Sequence, residues 1–137
     1  MGPRDMVSFD PKAKEFLNGV HFAKLATIRK GGSPHLTPIW YMFVDGKIIV
    51  NTTPGRVKYH NVKRDPRVAL LVDDGYPYIV VEGKARVASE RDAKKDIETL
   101  AIRYTGEENG RKAVRERYWK TERVSLEIVP ERIIQAL

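Results

Sequence analysis

The sequence predicts an antiparallel β-barrel that carries several helices on its outside. About six segments have strand patterns, and the Asp45-Gly46 pair is typical of a tight hairpin. Pro38 and Gly83 lie inside predicted strands, where such residues mark the bulges or bends that a closing barrel requires. Because the chain has 137 residues, we expect one domain that spans residues 1–137.

A helix is predicted over residues 9–20, since Asp10 suits the N-cap, Pro11 suits the first turn and Gly19 ends the pattern. Residues 22–29 alternate between two faces and predict the first strand, with one face partly open to a polar neighbour or ligand. The next strand runs from His35 to Val44 with an interruption at Pro38, and the hairpin pairs it with residues 47–53.

The most informative stretch runs from Ile48 to Leu71, where a buried strand leads through a turn into a basic helix over residues 54–65. Thr52 or Thr53 can cap this helix. Arg56 and Lys58 then fall in its first turn, beside free backbone N–H groups. Helix dipoles favour cations at the other end, so this pair indicates an anionic ligand such as a phosphate. The alternative is a solvated basic face that only keeps the protein soluble.

The rest of the barrel comes from later segments. Residues 67–72 and 78–87 are predicted strands, and they complete a barrel region over residues 22–89. Helices are predicted over residues 90–120, with Ser89 as the first cap. Alternating apolar residues then predict a strand over residues 123–137.

Composition limits the function classes. The net charge of +7 favours anionic partners, which include phosphorylated cofactors, nucleic acid and acidic membrane surfaces. The absence of cysteine excludes disulfides and thiol catalysis, and the three histidines are too widely spaced to predict a metal site. Residues 1–10 lack the apolar core of a signal peptide, and no apolar run reaches the ~18 residues of a membrane span. We therefore expect a cytoplasmic protein.

Two segments resemble a known superfamily: LATIRKGGSPHLTPIWYMFVDGKIIVNTTPGRVKYHNVKRDPRVALLVDD and YIVVEGKARV. They are similar to the pyridoxamine 5′-phosphate oxidase-like, FMN-binding split β-barrels, and most similar to the flavin/deazaflavin oxidoreductases, many of which use coenzyme F420. The match covers residues 16–87 and, more weakly, residues 123–130. The resemblance implies an antiparallel split barrel that forms a homodimer, with a cofactor in each cleft between the subunits.

The resemblance also implies site residues. Arg56 and Lys58 match the pair that holds the cofactor phosphate, and Asn61 matches the Asn that follows this pair. Three strand segments match those that line the flavin-like ring: Leu25, Ala26, Thr27 and Ile28; Pro38, Ile39, Trp40 and Tyr41; and Val50, Asn51, Thr52 and Thr53. Trp119, Arg117 and Arg123 are candidates for closing the site from the other subunit.

The implied activity is an oxidoreductase that uses F420 to reduce a conjugated small organic molecule by hydride transfer. In such a reaction the cofactor supplies the chemistry, which agrees with the absence of a catalytic triad or Walker motif. Coenzyme F420 is favoured over FMN because the run NVKRDPRV is more similar to the deazaflavin members. Lys63, Arg64 and Arg67 can serve the acidic tail of F420, and the alternative is that they are only surface charge. The chain is shorter than a pyridoxamine phosphate oxidase, so vitamin B6 oxidation is not expected.

Three alternatives stay open at this point. One is an FMN-binding oxidoreductase of the pyridoxamine phosphate oxidase type, and another is a non-enzymatic protein that binds flavin or haem. The third is a nucleic-acid-binding barrel. The predicted strands argue against this alternative, because they present mostly aliphatic residues, whereas proteins that bind single-stranded nucleic acid interleave aromatic and cationic ones.

Overall fold

The computed structural model describes residues 8–137, in which seven strands and four α-helices are found. The strands are β1 (Ala23–Ile28), β2 (Pro34–Ile39), β3 (Met42–Val44), β4 (Lys47–Thr52), β5 (Arg67–Asp73), β6 (Tyr78–Val87) and β7 (Val124–Ala136). The helices are α1 (Pro11–Asn18), α2 (Val57–Arg64), α3 (Ala93–Thr105) and α4 (Glu107–Glu116), followed by a 3₁₀ turn (Tyr118–Lys120).

All seven strands form one antiparallel sheet in the order β2-β1-β5-β6-β7-β4-β3. Its two end strands, β2 and β3, are separated in the chain only by Trp40 and Tyr41. A link of this length spans at most about 11 Å, so the sheet must curl until its two edges meet. The predicted antiparallel split barrel with helices is therefore confirmed.

The break between β2 and β3 corrects one prediction. Residues 35–44 do not form one strand interrupted at Pro38, because β2 continues through Pro38 opposite Lys24 and ends at Ile39. β2 is an edge strand, where a proline can sit without losing a ladder hydrogen bond. The chain turns one step later, at Trp40 and Tyr41.

The barrel core consists of apolar side chains from alternate strand positions. β1 shows this pattern clearly, with Ala23, Leu25 and Thr27 buried and the residues between them half-buried. The α1 segment adds Ala13 and Leu17 from the helix, and Phe9 from just before its cap, to the same core.

Two of the predicted helix starts are wrong. α2 begins at Val57, not at residue 54, and its N-cap is Arg56, which makes no capping hydrogen bond through its side chain. Residues 53–56 form a turn instead, in which the amide of Arg56 donates to the carbonyl of Thr53. α3 is capped by Asp92, not by Ser89, since the Asp92 carboxylate accepts from the amide of Lys95 at 3.1 Å.

The bend at Gly83 is a β-bulge between β6 and β7. Glu82 pairs with Arg132, whereas Gly83 pairs with Pro130, so Glu131 is the extra residue of β7. A side chain at Gly83 would place its Cβ only 2.1 Å from the carbonyl oxygen of Val129. The glycine is therefore required by the close approach of the neighbouring backbone.

Among residues 8–137, no helix is both long enough and apolar enough to cross a membrane. The first seven residues lie outside the described part, so the prediction that residues 1–10 contain no signal peptide, and with it the cytoplasmic location, stays a prediction.

We expect Gly83→Ala to lower the free energy of unfolding by roughly 1–3 kcal/mol, because the new methyl group overlaps backbone atoms that cannot move aside. Urea denaturation followed by circular dichroism measures this change. Gly31→Ala is the matched control, since the space that its new methyl group would enter is open to a distance of 4 Å. Equal stability of the two variants would contradict the close approach.

Candidate functional site

An open cleft lies where β2, β4, the start of α2 and the 3₁₀ turn meet. It has two adjoining parts with volumes of about 320 Å³ and about 380 Å³. Five residues line both parts, which makes the cleft continuous: Pro38, Asn51, Lys58, Tyr118 and Arg123. A cleft of this size accepts a small organic ligand.

The first part of the cleft is largely apolar. Its remaining lining residues are Phe22, Ile39, Trp40, Ile97 and Leu100. Trp40 stacks on Tyr104 with ring centroids 5.2 Å apart, and the edge of Tyr118 approaches Trp40 at 6.1 Å. Flat aromatic side chains next to aliphatic ones suit a planar, conjugated ligand.

The second part of the cleft is polar and positively charged. Arg56, Lys58 and Arg123 line it together with Thr37, Thr52 and Thr53. Within residues 8–137, none of these three cations forms an ion pair with a carboxylate. An anionic ligand would supply the missing negative charge.

The protonation of these cations reflects their crowding. Burial lowers the pKa of Lys58, and the positive charge of Arg56 lowers it further. The pKa of Arg123 is lowered by the same two causes in the same order, although the neighbouring Tyr118 opposes the shift. The fold therefore holds like charges close together in a partly desolvated place, an arrangement common at binding sites.

Backbone and side-chain donors surround the same point. The amides of Val57 and Lys58, in the first turn of α2, have no acceptor among the described residues, and that turn contains no acidic residue. On β2, the Oγ1 atom of Thr37, a lining residue of the charged part, is buried without a hydrogen-bond partner among the same residues. These groups and the cations together can accept an oxyanion such as a phosphate.

The structure brings together many of the residues predicted for the site. Those that line the cleft are Pro38, Ile39, Trp40, Asn51, Thr52, Thr53, Arg56 and Lys58. Their contact with a cofactor stays a prediction, because the geometry gives their position and not their ligand.

Several other predicted residues do not reach the cleft. Leu25, Tyr41 and Val50 point into the barrel core and are at most 1% exposed. Ala26, Thr27 and Ile28 border a separate groove beside Arg67 and Glu82. Leu25 and Val50 point inward because successive side chains of a strand lie on opposite faces, and β1 contributes no residue to the lining of the cleft.

Asn61 and Trp119 also lie away from the cleft. Asn61 is buried, donates to the Thr27 hydroxyl at 3.0 Å and accepts from Arg64 at 3.1 Å, so it fastens α2 to β1. The indole nitrogen of Trp119 donates to the carbonyl of Lys94 at 3.0 Å, and its ring packs against the cluster of Ile97, Ala101 and Val114. Within the same subunit the cleft is lined by Tyr118 and not by Trp119, and the closing of a second subunit's cleft by Trp119 stays a prediction.

Two of the three cations predicted to serve an acidic tail, Arg64 and Arg67, already have hydrogen-bond partners within the protein. Arg67 forms a two-pronged ion pair with Asp65, at 3.0 Å and 2.7 Å, and Arg64 donates to the carbonyl of Ile28 as well as to Asn61. Lys63 lies over the ring of Tyr59 at 5.4 Å. The tail prediction therefore loses most of its support from Arg64 and Arg67.

The sequence did not identify Phe22, Thr37, Ile97, Leu100 and Tyr118 as lining residues of this cleft. In the sequence, Ile97 and Leu100 belong to an apolar stripe of a predicted helix. The sequence pattern alone does not distinguish a stripe that packs in the core from one that lines a cleft. Tyr118 lies in an aromatic pair flanked by Arg117 and Lys120, and that pattern was the available signal.

Comparison with known proteins gives consistent results. The family described as pyridoxamine 5′-phosphate oxidase matches residues 9–136. An F420H(2)-dependent biliverdin reductase from Mycobacterium tuberculosis (strain CDC 1551 / Oshkosh) is 37% identical over 106 residues, which cover 74% of this chain and 77% of that protein.

Solved structures agree with this family match. A conserved hypothetical protein from Mycobacterium tuberculosis superposes with a TM-score of 0.76 and 30% identity, covering 99% of this chain and 89% of that one. An F420 reductase shares the fold with a TM-score of 0.63 and 24% identity, over 88% of this chain and 94% of that one.

We expect Lys58→Met to raise the free energy of unfolding at pH 7 by roughly 0.5–1 kcal/mol, because it removes a partly desolvated charge whose repulsion of Arg56 is reduced by solvent screening. Since the folded-state pKa of Lys58 is lowered, the unfavourable charge is fully present below that pKa. It disappears as the pH rises towards the unfolded value, so the gain should shrink in alkaline buffer. Urea denaturation at pH 7 and in alkaline buffer measures both the gain in stability and its decrease with pH. A loss of stability at pH 7 would contradict the crowding of cations.

Proposed function

The chain belongs to the pyridoxamine 5′-phosphate oxidase family, and on this basis we propose that it is a flavin- or deazaflavin-dependent oxidoreductase. Its preferred cofactor is coenzyme F420, and its substrate is a conjugated small organic molecule. The observation that carries the proposal is the single cleft in which an aromatic wall meets three cations without counter-charges among the described residues. These two halves match the two halves of a cofactor with a planar ring and a phosphate.

The residues of the cleft divide the binding between them. Arg56, Lys58 and the free amides of α2 would hold the phosphate, and Ile39 and Trp40 would lie beside the ring. The ring of a flavin or deazaflavin carries the hydride, so the protein needs only to bind it, orient it and shield it from water.

The choice of F420 over FMN rests on the relative. The Mycobacterium tuberculosis protein at 37% identity is named as an F420H(2)-dependent enzyme, and this supports F420 for the present chain. FMN is the second candidate, because Arg64 and Arg67 already bind the carbonyl of Ile28 and the carboxylate of Asp65. Fewer cations are therefore left for the acidic tail that distinguishes F420. Biliverdin, on which the named relative acts, is the first acceptor to test.

We expect fluorescence titration to give tighter binding of F420 than of FMN. Arg56→Ala combined with Lys58→Ala should weaken F420 binding by about 100-fold or more, since hydrogen bonds to charged groups contribute roughly 1.5–3 kcal/mol each. Circular dichroism should report an intact fold, because neither side chain belongs to the core.

A second double variant, Lys94→Ala with Lys112→Ala, is the matched control. Both residues are exposed and outside the cleft lining, and the pair removes the same two charges. If both double variants weaken binding equally, general charge attracts the cofactor and the phosphate site is wrong. Binding of neither cofactor by the wild-type protein would overturn the proposed function.

We also propose that the protein is a homodimer, because the outer face of its sheet carries several apolar side chains that the barrel core does not cover. Cross-strand registers place Leu36 beside Ala26, Ala26 beside Ala69, and Leu71 beside Val80. Leu36 is 65% exposed, although large apolar side chains are usually covered. A second copy of the same sheet face is the occupant that the resemblance to the split barrels implies.

Leu36→Glu should convert the dimer to a monomer, since the substitution places a charge in the apolar interface without touching the core. Sedimentation equilibrium measures the mass of each species. Val20→Glu introduces the same charge at another exposed apolar position, outside the sheet, and should leave the dimer intact. A wild-type monomer that still binds the cofactor tightly would exclude a site shared between subunits.

A further inference from the structure

A chain of hydrogen bonds connects the protein interior to the cleft. It begins at Asp96, which is 5% exposed and lies in the first turn of α3. Arg91 donates to both carboxylate oxygens of Asp96, at 2.8 Å and 3.0 Å, and so holds the carboxylate in a fixed orientation. The hydroxyl of Ser125 donates to the same carboxylate at 2.7 Å.

The direction of these hydrogen bonds helps to fix the orientation of the next side chain, the amide of Asn51. Ser125 has a single hydroxyl proton, and Asp96 accepts it, so the Ser125 oxygen can only accept on its other side. Asn51 lies opposite Ser125 in the register of β4 and β7 and donates to it at 3.2 Å. The same amide nitrogen also donates to the carbonyl of Ala93 at 3.0 Å.

Both amide protons of Asn51 are therefore used inside the protein, and its carbonyl oxygen must face the other way. That oxygen accepts from the Nε atom of Arg123 at 2.9 Å. With the amide reversed, two donors would face each other at this point. The buried carboxylate, acting through Ser125 and together with the carbonyl of Ala93, thus determines which end of Asn51 meets Arg123.

Arg123 is held in a position that leaves its outer nitrogens available. Only Nε has an acceptor among residues 8–137, and the guanidinium carbon lies 5.5 Å from the centre of the Tyr118 ring. Arg123 lines both the apolar and the charged part of the cleft, so it stands where they join. The charge of Arg56 repels it, and the hydrogen bond from Nε opposes that repulsion.

We propose that Asp96 and Ser125 are positioning residues, which act through Asn51 to direct Arg123 at an oxygen acceptor of the ligand. This acceptor, a carbonyl or carboxylate oxygen, lies between the phosphate and the ring-binding ends of the cleft. The proposal rests on the proposed function for the identity of the ligand, but the hydrogen-bond chain does not depend on it.

The test is a double-mutant cycle with F420 as the probe and Ser125→Ala and Arg123→Met as the two changes. Ser125→Ala removes one of the two acceptors that orient the Asn51 amide, so that only the carbonyl of Ala93 still holds it, and the change should weaken F420 binding about five- to tenfold. In the Arg123→Met background the same change should weaken binding less than about twofold, because the residue through which it acts is gone. Ser125→Thr keeps the hydroxyl and should restore the wild-type affinity.

Nuclear magnetic resonance of the free protein provides a second readout. The Nε proton of Arg123 should exchange slowly with water in the wild-type protein and in Ser125→Thr, and faster in Ser125→Ala. Thermal unfolding of each variant shows that it is folded at the temperature of the measurement.

Two results would overturn the positioning role. One is an equal loss of affinity in both backgrounds, which would indicate a general structural effect of Ser125→Ala. The other is an unchanged exchange rate of the Arg123 proton in that variant. If the wild-type protein binds neither F420 nor FMN, the proposed function fails, and the exchange rate alone decides whether the chain of hydrogen bonds positions Arg123.

Discussion

The two-residue link between β2 and β3 is the constraint on which the rest of the structure depends. Because it joins opposite ends of the sheet order, it forces the barrel to close and fixes where it closes. Tyr41 turns inward, is fully buried and donates to the carbonyl of Leu17 at 2.8 Å. Trp40 turns outward and becomes part of the cleft wall. The two residues that close the barrel therefore also place one wall of the cleft.

α3 secures this closure from outside. The hydroxyl of Tyr104 accepts from the amide of Tyr41 at 3.1 Å and donates to the carbonyl of His21 at 2.5 Å. Arg103 donates to the carbonyl of Gly19 at 2.6 Å and to two further carbonyls at the end of α1, where a cation is also favoured by the helix dipole. The same helix that lines part of the cleft thus ties the first helix to the closing link.

Local sequence patterns, such as helix caps and turns, predicted much of the fold. Features that depend on contacts between distant segments were not predicted. Asp10 and Pro11 begin α1 as expected, and Asp45 and Gly46 both adopt positive φ angles, 51° and 78°, as a tight hairpin turn requires. The bulge at Gly83 was also predictable from one glycine in a strand. The closing link was not, because its position depends on which distant strands become the edges. For the same reason the cleft residues from α3 could not be found: they meet β2 and β4 only in the folded chain.

The position of β7 has a consequence for how the protein folds. β7 is the last strand in sequence, yet it lies between β6 and β4 in the sheet. Until β7 pairs, the ribbon of β2, β1, β5 and β6 and the ribbon of β4 and β3 have no hydrogen-bonded strand to join them among the described residues. Long-range pairings of this kind form slowly and leave strand edges exposed until they do. Folding therefore depends on β7 to unite two incomplete sheets, and any delay in its pairing leaves the edges of β6 and β4 open to other chains.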